Sequence, residues 1–122
     1  MAYDHNNVFA RILRGELPAK KIYEDEYALA FYDIRPLAPV HALVVPKGAY
    51  VSFDDFAATA RAAEITGFIR AVGKAAQLLG VAVTGYRILA NHGAHAHQEI
   101  PHFHVHIFGG KSLGGMLPRP GA

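Results

Sequence analysis

The segment His102-Phe103-His104-Val105-His106-Ile107-Phe108 alternates imidazole and apolar side chains without a break, a period of two that suits a β-strand and no helix. As a strand it places three histidines on one face, about 6.6 Å apart, and Phe103, Val105 and Ile107 on the other. The apolar face must be buried against a second layer, so the chain has to build a sheet with something packed on it. Histidine is not a preferred strand residue, and six of the eight histidines fall between His92 and His106. The other face therefore points to chemistry.

The rest of the composition narrows the class. The 122 residues, 52% hydrophobic and 18% charged, suit one compact domain covering 1–122 and exclude a disordered chain. The longest uncharged stretch, Ala75 to Tyr86, is shorter than the ~20 apolar residues a membrane span needs, and the polar opening from Met1 to Asn7 does not read as a secretory leader. The expectation is a cytoplasmic protein with no membrane partner. The net charge is only +2 and the twelve Lys and Arg residues are dispersed, which argues against nucleic acid. With no cysteine, disulfides, thiolate catalysis and sulfur-built zinc sites are ruled out.

Turn and capping signals set out the elements. Asn7 caps a short helix predicted over Val8 to Leu13, closed by Gly15 with Pro18 beyond. Lys21 to Glu24 and Ala28 to Tyr32 read as a hairpin, and His41 to Val45 as a further strand bracketed by prolines. From Ser52, whose partner Asp55 makes a capping-box start, helical spacing runs to Gly80 with a break near Arg61. Tyr86 to Ala90 and His102 to Phe108 are strands joined by the histidine-rich loop Asn91 to Glu99, and 111–122 is a Gly/Pro-rich tail. This order predicts an α+β fold: an antiparallel sheet of about five strands with one long and one short helix.

Two chemistries compete for the histidine strand. His102, His104 and His106 can ligate zinc, with His92, His95 or His97 completing a tetrahedron. Alternatively, an unprotonated imidazole attacks a phosphorus while its neighbours donate hydrogen bonds. Spacing alone does not separate the two.

His102 to Phe108 followed by Gly109-Gly110 resembles the histidine triad motif, His-φ-His-φ-His-φ-φ with φ apolar. Four separated segments agree with it: Phe9 to Ile12 with Gly15 to Lys20, Glu24 to Glu26, Ala30 to Pro36, and Ala38 to Lys47. Together they resemble the nucleotide-binding branch of the histidine triad (HIT) family, the purine nucleoside phosphoramidases, over nearly the whole chain. The resemblance implies that His104 attacks the α-phosphorus of an AMP-type nucleotide and forms a nucleotidyl-imidazole that water then hydrolyses. It implies His102 and His106 as partners of the phosphoryl group, with His41 tied to the first triad histidine. Asp33 is then the acceptor of the ribose hydroxyls, and Phe9, Ile12, Leu17, Phe31 and Ile34 form the purine slot. Asn91 and Gln98 lie near the phosphate and leaving group.

The chain departs from the family pattern in one loop. Ala96 and His97 stand where many relatives have glycines, and Glu99 stands where a serine is common, so Glu99 is the candidate leaving-group acid, directly or through His102. The tail contains no tryptophan, so amine-side specificity does not carry over. The resemblance implies P–N hydrolysis of a purine nucleoside 5′-phosphoramidate with no metal or cofactor, in a homodimer whose helix offers Ala63, Ala71, Ala75 and Ala76 for close approach. Its rivals are a dinucleoside polyphosphate hydrolase using the same triad and a nucleotide-binding scaffold with incidental hydrolysis.

Overall fold

The computed structural model describes residues 2–121; Met1 and Ala122, the ends of the expected 1–122 domain, lie outside the described residues. Helix α1 (Val8–Leu13) precedes strands β1 (Lys21–Glu24), β2 (Ala28–Tyr32) and β3 (Val40–Pro46). Helices α2 (Phe53–Thr59) and α3 (Ala62–Leu78) follow, then β4 (Tyr86–Leu89), a short 3₁₀ turn over Ala94–Ala96, and β5 (Val105–Gly109). The five strands form one antiparallel sheet in the order β1-β2-β3-β5-β4. The tail after Gly110 forms no regular element through Gly121.

The Asn7 carboxamide accepts the Ala10 amide at 2.9 Å, so α1 begins and ends where its cap and Gly15 place it. The long helical stretch is two helices, because Ala60 and Arg61 adopt extended backbone (ψ 146° and 153°) without a proline or glycine. Glu64 starts the second helix: its carboxylate accepts the Arg61 amide at 3.2 Å and the Tyr50 hydroxyl at 2.9 Å. Gly67 sits mid-helix, where it costs about 1 kcal/mol of helix propensity, because a Cβ there would collide with the Tyr27 ring.

Alternation divides β2 and β3 between two layers. Ala28, Ala30, Ala42 and Val44, with Val105 and Ile107 of β5, join Phe56, Phe68, Val72 and Ala75 in the larger core under α3. Leu29, Phe31, Leu43 and Val45 point the other way and meet only Phe9 of the short α1 and a few flanking residues. That second face is thinly covered, and the site lies on it.

The expected strand from His102 is corrected: β5 starts at Val105. The ladder with β3 stops at the Val44–Val105 pair as β3 reaches Pro46, which has no N–H to give and whose carbonyl accepts the His102 ring at 2.8 Å. The His102 and Phe103 amides turn instead to the carbonyls of Ile100 and Tyr50. Both sides of the histidine segment are consequently buried, His102 fully and His104 to 8% exposure.

Candidate active site

A cavity of about 690 Å³ opens on the thinly covered face. Phe9, Ile12, Leu17, Phe31, Asp33, Ile34, His41, Asn91, Gln98, Glu99, His104 and His106 all line it. Of the residues expected at the site, His102 is the exception. It lies behind the wall, with its two ring nitrogens against the Tyr3 hydroxyl and the Pro46 carbonyl, so no relay from Glu99 through His102 is available.

The partners of each imidazole determine where its proton sits. The His104 Nδ1–H donates to the His102 carbonyl at 2.7 Å, which leaves Nε2 with a lone pair on a residue that lines the cavity. The Leu37 amide donates to His41 Nδ1 at 3.1 Å, so the His41 proton is on Nε2 and is given to His106 Nδ1 at 2.9 Å. His106 therefore keeps its proton on Nε2. The result is one unprotonated nitrogen and one N–H on neighbouring rings whose centroids are 5.1 Å apart. His41 partners the last histidine of the triad, which corrects the expected tie to the first: the β3–β5 register pairs Leu43 with His106 and His41 with Phe108, and His102 lies beyond the ladder.

Burial keeps this cluster uncharged. It pushes the His102 and His106 imidazoles down to about 4, against the ordinary value of about 6.5. His104 is also lowered by burial, opposed by its bond to the His102 carbonyl, and His41 by burial, opposed by the Asp33 carboxylate. All four imidazoles are neutral at neutral pH.

Asp33, His41 and His106 bring possible ligand atoms within 4.8 Å of one another, but their surroundings do not suit a cation. A metal on His41 Nε2 would require a proton on Nδ1, where the Leu37 N–H already points, so two donors would face each other. The cluster is built to hold a proton.

The remaining polar groups divide between scaffold and cavity. One Asp33 oxygen accepts the Arg35 amide at 2.8 Å, and the other lies 3.5 Å from His41 Nε2. Gln98 is committed to its loop: its amide nitrogen donates to the Val51 and Ile100 carbonyls and its oxygen accepts from Gly93. His92 ties the same loop to α2 through Ser52 Oγ at 2.8 Å and Asp54 at 3.3 Å. His97 lines the cavity with φ of 56°, a left-handed conformation that side chains seldom adopt, and Glu99 stands exposed at the rim. Phe9 meets His104 edge-on at 4.9 Å and Phe31 at 5.7 Å, joining the apolar wall to the imidazoles. Sequence reasoning does not find Tyr3 or Leu37. A tyrosine in a polar opening carries no pattern signal, and a backbone amide carries none at all.

An antiparallel five-stranded α+β fold with an apolar cleft ending in a fixed-tautomer histidine pair defines a class in which buried imidazoles face a small-molecule cavity. Within that class the chain belongs to the HIT domain family, whose model matches residues 14–113. It is 61% identical over 117 residues, 96% of both chains, to an uncharacterized HIT-like protein of Azospirillum brasilense. It is 37% identical to the purine nucleoside phosphoramidase of Escherichia coli K12 over 93% of this chain and 95% of that protein. Among solved structures, a HIT family hydrolase from Clostridium thermocellum superposes with a TM-score of 0.86 at 36% identity, covering 94% of this chain and 99% of that one.

Proposed function

We propose that this protein hydrolyses the P–N bond of purine nucleoside 5′-phosphoramidates through a nucleotidyl intermediate on His104. The observation that carries the reading is the bond from His104 Nδ1–H to the His102 carbonyl, which keeps the Nε2 lone pair free at a cavity also lined by Asp33 and an apolar slot. The likeness to the Escherichia coli phosphoramidase supports the choice of bond.

In this reading the purine enters between Phe9, Ile12, Leu17, Phe31 and Ile34, and the Asp33 oxygen that does not hold Arg35 accepts from the ribose diol. His104 Nε2 attacks the α-phosphorus and the P–N bond breaks. The positive charge left on the His104 ring rests against the His102 carbonyl, and His106 Nε2–H donates to a phosphoryl oxygen. The departing amine takes a proton from the Glu99 carboxyl group, and Asn91 also lines the cavity. Water then attacks the phosphorus and gives its proton to the Glu99 carboxylate, and the N–P bond of the adduct breaks with its electron pair returning to Nε2, which releases the monophosphate and restores the neutral imidazole. The chemistry calls on no metal or cofactor.

Rapid quenching with adenosine 5′-phosphoramidate tests the reading. One nucleotidyl group should appear on the peptide containing His102 to His106, and His104→Ala should abolish adduct and turnover while monophosphate binding survives. Full turnover in His104→Ala would refute it.

The protein acts as a two-fold dimer in this proposal, through the sheet edge. β4 is paired on one side only and leaves Tyr86, Ile88 and Leu89 exposed at 41%, 53% and 37%, a patch that a second copy would cover. Of the α3 alanines expected at such a contact, Ala71, Ala75 and Ala76 are buried in the chain's own core and do not serve, whereas Ala63 is exposed. Sedimentation at micromolar concentration should give the dimer mass, and Ile88→Glu should give monomer; a monomeric native protein would reject the proposal.

A further inference from the structure

Tyr3 is not in the cavity wall, yet its hydroxyl bonds His102 Nδ1. The Pro46 carbonyl can only accept, so the His102 proton is on Nε2 and the Tyr3 hydroxyl donates to the Nδ1 lone pair. Ring and main chain of His102 are linked through its Cα, and the main chain carries the more demanding contact, since its carbonyl holds His104 Nδ1–H at 2.7 Å. This residue lies outside the sheet ladder. Its backbone is therefore aimed by its ring contacts, by its own amide bond to Ile100, and by the Phe103 amide, which shares the peptide plane of the His102 carbonyl and donates to the Tyr50 carbonyl at 2.8 Å.

We infer that Tyr3 is a positioning residue for the chemistry at His104, its hydroxyl clamping the His102 ring against Pro46 so that the His102 carbonyl stays aimed at His104 Nδ1. The inference rests on the proposed attack by His104.

The segment carrying Tyr3 is itself anchored. The Asp4 carbonyl accepts the Asn7 amide at 3.2 Å and the Asn7 side chain at 2.7 Å, and the Arg14 guanidinium holds the His5 carbonyl at 2.7 Å. Asn7 in turn caps α1, whose Phe9 ring meets His104 edge-on. The Tyr3 ring lies edge-on to His5 and His102, with centroids 4.9 and 5.6 Å away. The clamp and the nucleophile's apolar neighbour thus hang from one turn. Without the hydroxyl, His102 Nδ1 is a buried acceptor with no donor, a state that favours rotation of the ring or entry of water.

Tyr3→Phe keeps the ring and removes the donor. Because the hydroxyl touches no ligand, kcat for adenosine 5′-phosphoramidate should fall about three- to tenfold, the effect of one neutral hydrogen bond, with KM and monophosphate affinity unchanged. In protein with ¹⁵N-labelled histidine and no substrate, the His102 and His104 ring signals should shift in the variant while those of His41 and His106 stay in place. In the native protein the Tyr3 hydroxyl proton should couple to His102 Nδ1, a measurement that requires no variant to fold. A native protein without that coupling overturns the inference, as does a Tyr3→Phe protein with native kcat, or one that shifts all four histidines and melts early. If the native protein forms no adduct while the Tyr3–His102 coupling is present, the phosphoramidase reading has failed, and the clamp is then judged on the His104 signal alone.

Discussion

The two faces of the sheet are made from the same strands and come to opposite ends. Toward α3, β2 and β3 present Ala28, Ala30, Ala42 and Val44, small enough for a seventeen-residue helix carrying Ala71, Ala75 and Ala76 to lie close. Toward the other side they present Leu29, Phe31, Leu43 and Val45, and the six-residue α1 is too short to cover them. The first face closes into a core and the second remains a cavity with apolar walls. The histidines follow the same division. Ile107 is wholly buried toward α3, whereas His106, one residue earlier, turns to the cavity. Side chain size and the length of the covering helix decide which face can bind, and strand alternation delivers the chemistry to that face.

Damage to one face should therefore leave the other's property largely intact. The largest effect belongs to His104→Ala, which should remove turnover with little change in melting temperature. On the closed face, Phe68→Ala deletes a ring that is 1% exposed and should cost about 3–5 kcal/mol of stability, read by denaturant titration, while kcat per folded molecule stays native. A parallel loss of kcat would mean that the faces are mechanically coupled.

Acid should attack the open face. The buried imidazoles of His102 and His106 titrate near 4 when folded and near about 6.5 when unfolded, so between these values the unfolded chain holds more protons. Stability is then complete above about pH 6.5 and falls toward pH 4, by up to about 1.4 kcal/mol per pH unit for each group. Replacing His106 by Asn should flatten that slope. An unchanged slope would place the acid sensitivity elsewhere.

The smallest effect concerns selectivity within the cavity. Asp33→Ala should weaken ribonucleoside phosphoramidates by about 1.5–3 kcal/mol and a 2′,3′-dideoxy analogue by much less, as measured by kcat/KM. Equal losses would assign Asp33 to orienting His41, 3.5 Å away, in place of holding the ribose.

Most of the fold is legible in local pattern. Helix α1 and strands β1 and β2 occupy the expected residues, because a cap, a terminal glycine and a hairpin turn each act over a few positions. The break between α2 and α3 is visible only as a weak place, since the contact that secures it, Glu64 with Tyr50, spans fourteen residues. The start of β5 departs from its pattern for a similar reason. The alternation from His102 is genuine, but Pro46, fifty-six residues earlier, ends the ladder and draws the His102 ring to its carbonyl.

Residue types and their spacing were enough for the α+β class and the sheet of five strands, and the triad with the four segments that agree with it was enough for the family to which the chain belongs; the resemblance to that family, not spacing, put forward residues such as Phe9, Phe31 and Asp33 that line the cavity. The class, the sheet and the histidine face depend on side chain type and on periods of two or 3.6, which are properties of neighbours in the chain. It took the folded molecule to settle that His102 stands behind the site, that His41 serves His106, and that His104 keeps an unprotonated Nε2. Each depends on a main-chain group, the Pro46 or His102 carbonyl or the Leu37 amide, being brought against a ring nitrogen. Every residue type except proline carries the same amide and carbonyl, so only the folded geometry can select which of them sets the proton on each imidazole.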